Sequence, residues 1–517
     1  MLDKFKSLLG NTLIYGLGNY GVKIIGFLLI PLYTRYLSPS DYGIIALVAM
    51  FSQVMFVVLN LGQGFSLFRF YYDKDSDQAR ERVVAAAMWI VLLFSVPLAF
   101  LPIVFSRPLA QAILGDSGLW YLMLIGTATV LCKVLLRMPF SLMRAGDKAS
   151  RYATWSVVRN GLTTFLARAL VAGVHLGATG VVLSQFLADF TMCVLLTGVT
   201  FRMLRAGFHW SDIKKQLLFG LPLIPAGAAA FALDLLDRWF LKHYSSVGEV
   251  GIYSLGYRFG EILSFVVTAF QLSWPQFVFS HRKQEDAPEL FAQMTSYWVA
   301  LLFFMWLGLS VAAPELLRVM ATPAYYGAAA VVPIVAFAQA LDGLTFTVNI
   351  GVLLSKKSYL RMAAVVAAAV VNIALNFLLI PRYGMLGAAW ATLVGFLVQV
   401  SVALSLSLRE YWIPYHWFRV LSAIGMAIGI FLVSTQVTLS SIPLSIAVKA
   451  VLLSLYPLTL LVLGFFQRED LQRALDWIAD RLPAAAPAIR LLEPILRLAP
   501  ETVPAPAAAA PPESPLG

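Results

Sequence analysis

The chain has 517 residues, of which 60% are hydrophobic and only 13% charged, and its formal net charge is +11. A soluble domain carries about 25% charged residues, so a water-soluble globule is excluded, and the mean hydropathy of +0.80 agrees. The basic excess sits mostly in alternate loops between apolar segments, which is a membrane-topology signature rather than a nucleic-acid footprint.

Apolar stretches of about 18 or more residues are read as membrane-spanning helices. In chain order they cover 12–34, 42–66, 83–105, 119–143, 154–175, 178–201 and 217–241. They continue over 250–279, 294–314, 328–354, 359–381, 384–408, 417–437 and 444–466. The fold class expected is an all-α polytopic membrane protein with about fourteen transmembrane helices. Lys4 and Lys6 precede the first run, and no A-x-A cleavage site follows it, so the first helix is expected to be kept.

Loop charge sets the orientation. One set of loops holds Lys4, Lys6, Arg69, Lys74, Arg144, Lys148, Arg202, Lys214, Arg282, Lys356 and their basic neighbours. The other set holds only Arg35, Arg107, Lys242, Arg318 and Arg382. The asymmetry is roughly fivefold and places the basic set in the cytoplasm. Both termini are then cytoplasmic, which requires an even number of spans. After the last span, Leu471, Leu475, Ile478 and Leu482 share one face of 468–482, fitting a helix on the cytoplasmic membrane surface. Residues 483–517 are rich in Pro and Ala and are expected to be disordered.

The chain also repeats itself. YLSPSDYGIIALV from Tyr36 matches YSSVGEVGIYSLG from Tyr244 at a shift of 208; Lys148 and Ser150 match Lys356 and Ser358 at the same shift. GATGVV from Gly177 matches GMLGAA from Gly384 at 207. Such a period implies two parallel six-helix repeats. The expected division is an N-lobe over 1–210, a C-lobe over 211–410 and two further helices over 411–467.

Ionisable residues within spans are costly and are functional candidates. The first half carries Lys23, Lys133, Arg137, Arg159 and Arg168 against the single acid Asp189. The second half carries Asp234, Asp237, Arg238, Arg258, Glu261 and Asp342, and Lys449 lies in the last span. Gly16, Asn19, Lys23 and Gly26 share one helical face, as do Ser254, Arg258, Glu261 and Thr268. Arg137 and Arg159 lie near cytoplasmic helix ends, where snorkelling explains them. Asp234 and Arg238 are spaced to pair along one helix. A cationic cavity suits phosphate or diphosphate. The candidate substrate-binding set is therefore Asn19, Lys23, Lys133, Arg168 and Arg258, with Asp189, Glu261 and Asp342 as candidate ion-coupling acids. Cys132 and Cys193 read as small buried hydrophobes, the five histidines show no metal spacing, and no metal or cofactor is expected.

Several stretches resemble one known family. They are IPLYTRYLSPSDYGIIALV (30–48), LGQGFSLFRFYY (61–72), DRWFLKHYSSVGEVGIYSLGYRFGE (237–261), LSWPQFVFS (272–280) and NIALNFLLIPRYGMLGAAWAT (372–392). Over about residues 10–465 the chain resembles the polysaccharide-export branch, the Wzx-type O-antigen and exopolysaccharide flippases, of the multidrug/oligosaccharidyl-lipid/polysaccharide (MOP) superfamily. The resemblance implies two lobes around a central cavity that opens alternately to each side of a bacterial inner membrane. It implies a polyprenyl-diphosphate-linked oligosaccharide as cargo, membrane lipids and polysaccharide-assembly proteins such as a polymerase as partners, and no enzymatic step. It carries a diphosphate- and sugar-binding role onto Lys23, Arg168 and Arg258.

Three other readings compete. A multidrug or organic-cation exporter of the same fold favours an acidic cavity, which the cationic first half opposes. A lipid II flippase differs only in substrate. A membrane polymerase or glycosyltransferase needs a sizeable outer loop, and the loops here are short, with no H-E-x-x-H or G-x-S-x-G motif.

Overall fold

The computed structural model describes residues 27, 29–145, 149–355, 357–437 and 442–465. Asn19 and Lys23, most of the first span, Lys148, the 468–482 helix and the 483–517 tail lie outside the described residues. What is described is all-helical. In chain order the helices are α1 Ile30–Tyr36, α2 Pro39–Leu59, α3 Gln63–Tyr72, α4 Asp77–Ile90, α5 Val96–Val104, α6 Ser106–Ile113, α7 Trp120–Ala145, α8 Ala149–Arg168, α9 Gly177–Met203 and α10 Trp210–Gly220. They continue as α11 Ile224–Leu235, α12 Asp237–Tyr244, α13 Val247–Gly260, α14 Leu263–His281, α15 Ala287–Met320, α16 Val332–Val348, α17 Ile350–Ser355, α18 Ser358–Glu410, α19 Trp417–Gln436 and α20 Ile442–Val462.

Among the described residues, eight helices are long and apolar enough to cross a membrane, or ten when two broken pairs each count as one span. The sequence count of about fourteen differs from this at four places, three of them with a physical cause. The first span falls mostly outside the described residues. The 359–381 and 384–408 stretches run together in α18, parted only at Gly384, whose φ is +52°. Pro222 and Pro225 fall where 217–241 breaks into α10, a short 3₁₀ turn, α11 and α12. Arg151, Arg159 and Arg168 lower the hydropathy of α8.

The chain forms two compact units. The first takes in the described residues up to Arg258, with Leu317–Val331 and Val365–Val398; the second takes in Phe259–Leu316, Val332–Ala364 and the described residues from Gln399 onward. In the first, α7 presents Cys132 and Leu136 one turn apart to Met192, Cys193 and Leu196 of α9. A second cluster joins Leu67 of α3 and Met138 of α7 to Val83, Val84, Ala87 and Met88 of α4. In the second unit α15 is tied down by buried aromatic donors. Trp298 Nε1 donates to the Gly343 carbonyl at 3.0 Å and Trp306 Nε1 to that of Pro333 at 2.8 Å. Tyr456 of α20 reaches the Ala300 carbonyl at 3.2 Å. Large apolar side chains are left outside, with Phe165 69% and Phe418 72% exposed. In water that exposure is unfavourable; in hydrocarbon it is the expected outer surface.

The repeat has structural content within the first unit. Ser38 caps α2 in a capping box with Asp41, and 208 residues on, Ser246 accepts from the Glu249 N–H at 3.1 Å. Each acid then caps a distant helix start that follows a left-handed glycine. Asp41 accepts from the Ala178 N–H at 3.4 Å, next to Gly177 (φ +55°). Glu249 accepts from the Met385 N–H at 2.6 Å, next to Gly384. Gly43 and Gly251 complete the match: a Cβ on Gly43 would sit 1.9 Å from the Val247 carbonyl oxygen, and one on Gly251 would sit 1.9 Å from that of Pro39. Pro39 and Gly43 of α2 are themselves the counterparts of Val247 and Gly251 of α13, so the two helices cross reciprocally, backbone against backbone.

Candidate functional site

The first-half charges converge because of helical periodicity. On α7, Lys133 and Arg137 are four residues apart and share a face. On α8, Arg159, Asn160, Thr163 and Thr164 form a polar stripe, and on α9 Val181, Gln185 and Asp189 follow one another at four-residue steps. With Tyr33 of α1, Tyr42 of α2 and Arg258 of α13, these residues line a cavity of about 320 Å³. A second cavity of about 440 Å³ adjoins it, and Lys133 and Arg159 line both. Its other walls include Arg137, Phe140, Tyr152 and Ser156.

The electrostatic balance is positive. Asp189 is buried, and Arg159 Nε donates to its Oδ1 at 2.5 Å. The Arg159 side chain nonetheless keeps 31% of its surface exposed, so one acid does not withdraw it from the cavity. Arg258 lies over the Tyr42 ring at 5.9 Å. The buried Tyr42 hydroxyl, on the cavity wall, has no hydrogen-bond partner among the described residues. Arg137 lies over the Phe56 ring at 5.6 Å and packs so close to Gly64 that a Cβ there would come 1.8 Å from Nη2. Both cavities thus present guanidinium and ammonium groups to whatever enters, and an anion is the ligand such a surface favours.

A family model described as polysaccharide biosynthesis protein matches residues 8–278. The chain belongs to that family. It is 23% identical over 304 residues to an Lsg locus protein of Haemophilus influenzae, covering 57% of this chain and 71% of the relative. It is 22% identical over 306 residues to the succinoglycan biosynthesis transport protein ExoT of Rhizobium meliloti, covering 58% of this chain and 59% of ExoT. Among solved structures the fold is similar to the lipid II flippase MurJ, with a TM-score of 0.69 at 14% identity, covering 86% of this chain and 98% of that one. An inward-facing MATE-family multidrug transporter of the MOP superfamily matches with a TM-score of 0.58 at 13% identity, over 78% and 95% of the two chains. The protein is therefore a multi-pass membrane protein whose fold is similar to that of these transporters.

In this family member the structure gathers some sequence-selected residues and separates others. Lys133, Arg258 and Asp189 line one cavity. Arg168 does not; it is exposed at the end of α8. Nine residues separate it from Arg159, which at about 100° per residue puts the two on opposite faces of the helix. Glu261 is exposed at the break between α13 and α14. Asp342 is half-buried in the second unit and accepts from Gln399 Nε2 at 3.3 Å.

Three contacts were not anticipated. Arg159, read as a snorkelling residue, makes a cross-helix ion pair to Asp189. Arg238 makes an ion pair to Asp237 at 3.0 Å, and also donates to the Asp234 backbone carbonyl at 2.8 Å. Lys449 pairs with Glu315 at 2.7 Å, and Ser445 donates to the same carboxylate at 2.8 Å. Glu315 lies one residue past the expected end of its span. The presence of a lone acid among many bases was the one sequence signal for the first pair.

Proposed function

We propose that this protein is a flippase that moves a polyprenyl-diphosphate-linked oligosaccharide across a bacterial plasma membrane for surface polysaccharide synthesis. The observation that carries this reading is the cavity walled by Lys133, Arg159 and Arg258, in a family of polysaccharide biosynthesis proteins. The lobes over 1–210 and 211–410 expose that cavity first to the cytoplasm and then to the outer side, while 411–467 adds two helices. The sugar-diphosphate head crosses inside the protein and the polyprenyl tail stays in lipid. No bond is made or broken, so the protein is a transporter rather than an enzyme. Both termini face the cytoplasm, and polysaccharide polymerase and assembly proteins act on the cargo after release.

An inside-negative potential favours outward movement of the head. One charge across 100 mV is worth about 2.3 kcal/mol, so a dianion gains on the order of 5. Where an ion is coupled, Asp342 is the best-placed acid, because it accepts from the neutral amide of Gln399, whereas Asp189 is engaged by Arg159. An organic-cation exporter needs a cavity of the opposite charge.

Depleting the protein in its host and following lipid-linked glycans by mass spectrometry tests the reading. Lipid-linked repeat units accumulate and surface polymer is lost, and neither Lys133→Ala nor Arg258→Ala restores them. Unchanged lipid-linked pools combined with new sensitivity to cationic drugs would reject the flippase in favour of the exporter.

A further inference from the structure

The two adjoining cavities differ in the chemistry of their walls. The one containing Arg137 is lined by Lys133, Arg137 and Arg159, with the Tyr152 and Ser156 hydroxyls, and has no carboxylate among its described lining residues. The one containing Arg258 shares Lys133 and Arg159 and adds the amides of Asn160 and Gln185, the hydroxyls of Thr163, Thr164 and Tyr42, and the Asp189 carboxylate. A diphosphate offers only acceptor oxygens and carries concentrated negative charge, so it favours cations and donors away from carboxylates. A sugar offers hydroxyls that both donate and accept, so it favours amides, hydroxyls and carboxylates together.

We propose that the cavities divide the cargo, the diphosphate against Lys133 and Arg137, and the first sugars against Asn160, Gln185 and Tyr42. This rests on the flippase reading above. The covalent order of the cargo fits the arrangement, because diphosphate and sugar are directly joined and the two cavities share the Lys133–Arg159 wall. Arg137 is the specificity-determining cation of the diphosphate side. Its position is built rather than incidental: the guanidinium lies over Phe56 and against the bare backbone of Gly64. The Tyr42 hydroxyl, buried without a partner among the described residues, lies on the sugar side.

The test measures binding of two lipids to the purified full-length protein in nanodiscs: undecaprenyl diphosphate carrying no sugar, and the lipid-linked glycan extracted from the host. For the bare diphosphate lipid, Arg137→Gln weakens binding by about tenfold. Gly64→Ala, which keeps the arginine but displaces it, weakens the same binding in a chain that still melts cooperatively. Asn160→Ala and Gln185→Ala leave the bare lipid within about twofold, and remove the extra affinity that the glycan confers on the wild type. An Arg137→Gln effect under twofold overturns the division, as does Asn160→Ala weakening the bare lipid as much as Arg137→Gln does. A wild type that binds neither lipid rejects the flippase reading itself.

Discussion

The two repeats use the same backbone devices and different charges. Asp41 and Glu249 cap equivalent helix starts beside Gly177 and Gly384, and Gly43 and Gly251 meet at one reciprocal crossing. Their buried ions diverge. The first-repeat bases Lys133 and Arg159 open onto cavities, with one acid between them. The second-repeat pair Asp237–Arg238 is sealed: both residues are buried, Tyr253 donates to the carboxylate, and the guanidinium lies over the Tyr257 ring at 4.5 Å. The comparison teaches that the same backbone devices recur in both copies, while the cavity-lining bases come mostly from the first copy, with Arg258 the contribution of the second.

The largest effects should come from the shared scaffold. Gly43→Val and Gly251→Val each drive a side chain into a carbonyl oxygen, and both should abolish monodisperse protein on size exclusion in detergent. If one were tolerated and the other not, the reciprocal crossing would lose its meaning.

Next come the charges, where the repeats should differ. Arg238→Met strands a buried carboxylate and should destabilise by about 3–5 kcal/mol. Arg159→Met should cost less, because Lys133 lies close enough to act on Asp189 electrostatically and the site borders a cavity. Thermal melts of the two variants decide this; a larger loss for Arg159→Met would make its ion pair structural and weaken its assignment to cargo.

The caps should be worth about 1 kcal/mol each, the usual range for a lost helix cap. Asp41→Ala and Glu249→Ala should therefore lower Tm by similar amounts, and a wide disparity would break the equivalence of the repeats. The smallest effect concerns Lys357, outside the spans, whose ammonium is held above the usual lysine range by its hydrogen bond to Glu410. A raised folded value means the pair contributes fully below the unfolded lysine value of about 10.4 and fades as pH rises through the folded one. Melts of wild type and Lys357→Ala should converge at high pH; a gap that widens instead would reverse the sign.

Much of this was legible in the chain. Apolar length and the 208-residue shift gave the membrane fold and the repeat, down to the acid and glycine that form the cap and the crossing. The surplus of bases pointed to the cationic groups that line the two cavities. What escaped was pairing between helices. Arg159 and Asp189 are 30 residues apart in sequence, and no local spacing joins them. Arg168 looked like a cavity residue because hydropathy locates a charge along a helix but not around it. The ion pair of Arg238 with its sequence neighbour Asp237 also escaped, because adjacent residues on a helix do not ordinarily face each other.

The most direct measurement is transfer of a polyprenyl-diphosphate-linked oligosaccharide across proteoliposomes. Arrival at the far leaflet would be read by an added enzyme that cleaves only exposed glycan. Wild type should make the glycan accessible in a protein-dependent way, and Lys133→Ala and Arg258→Ala should not, although both remain folded. Equal transfer by wild type, both variants and empty liposomes would contradict the account.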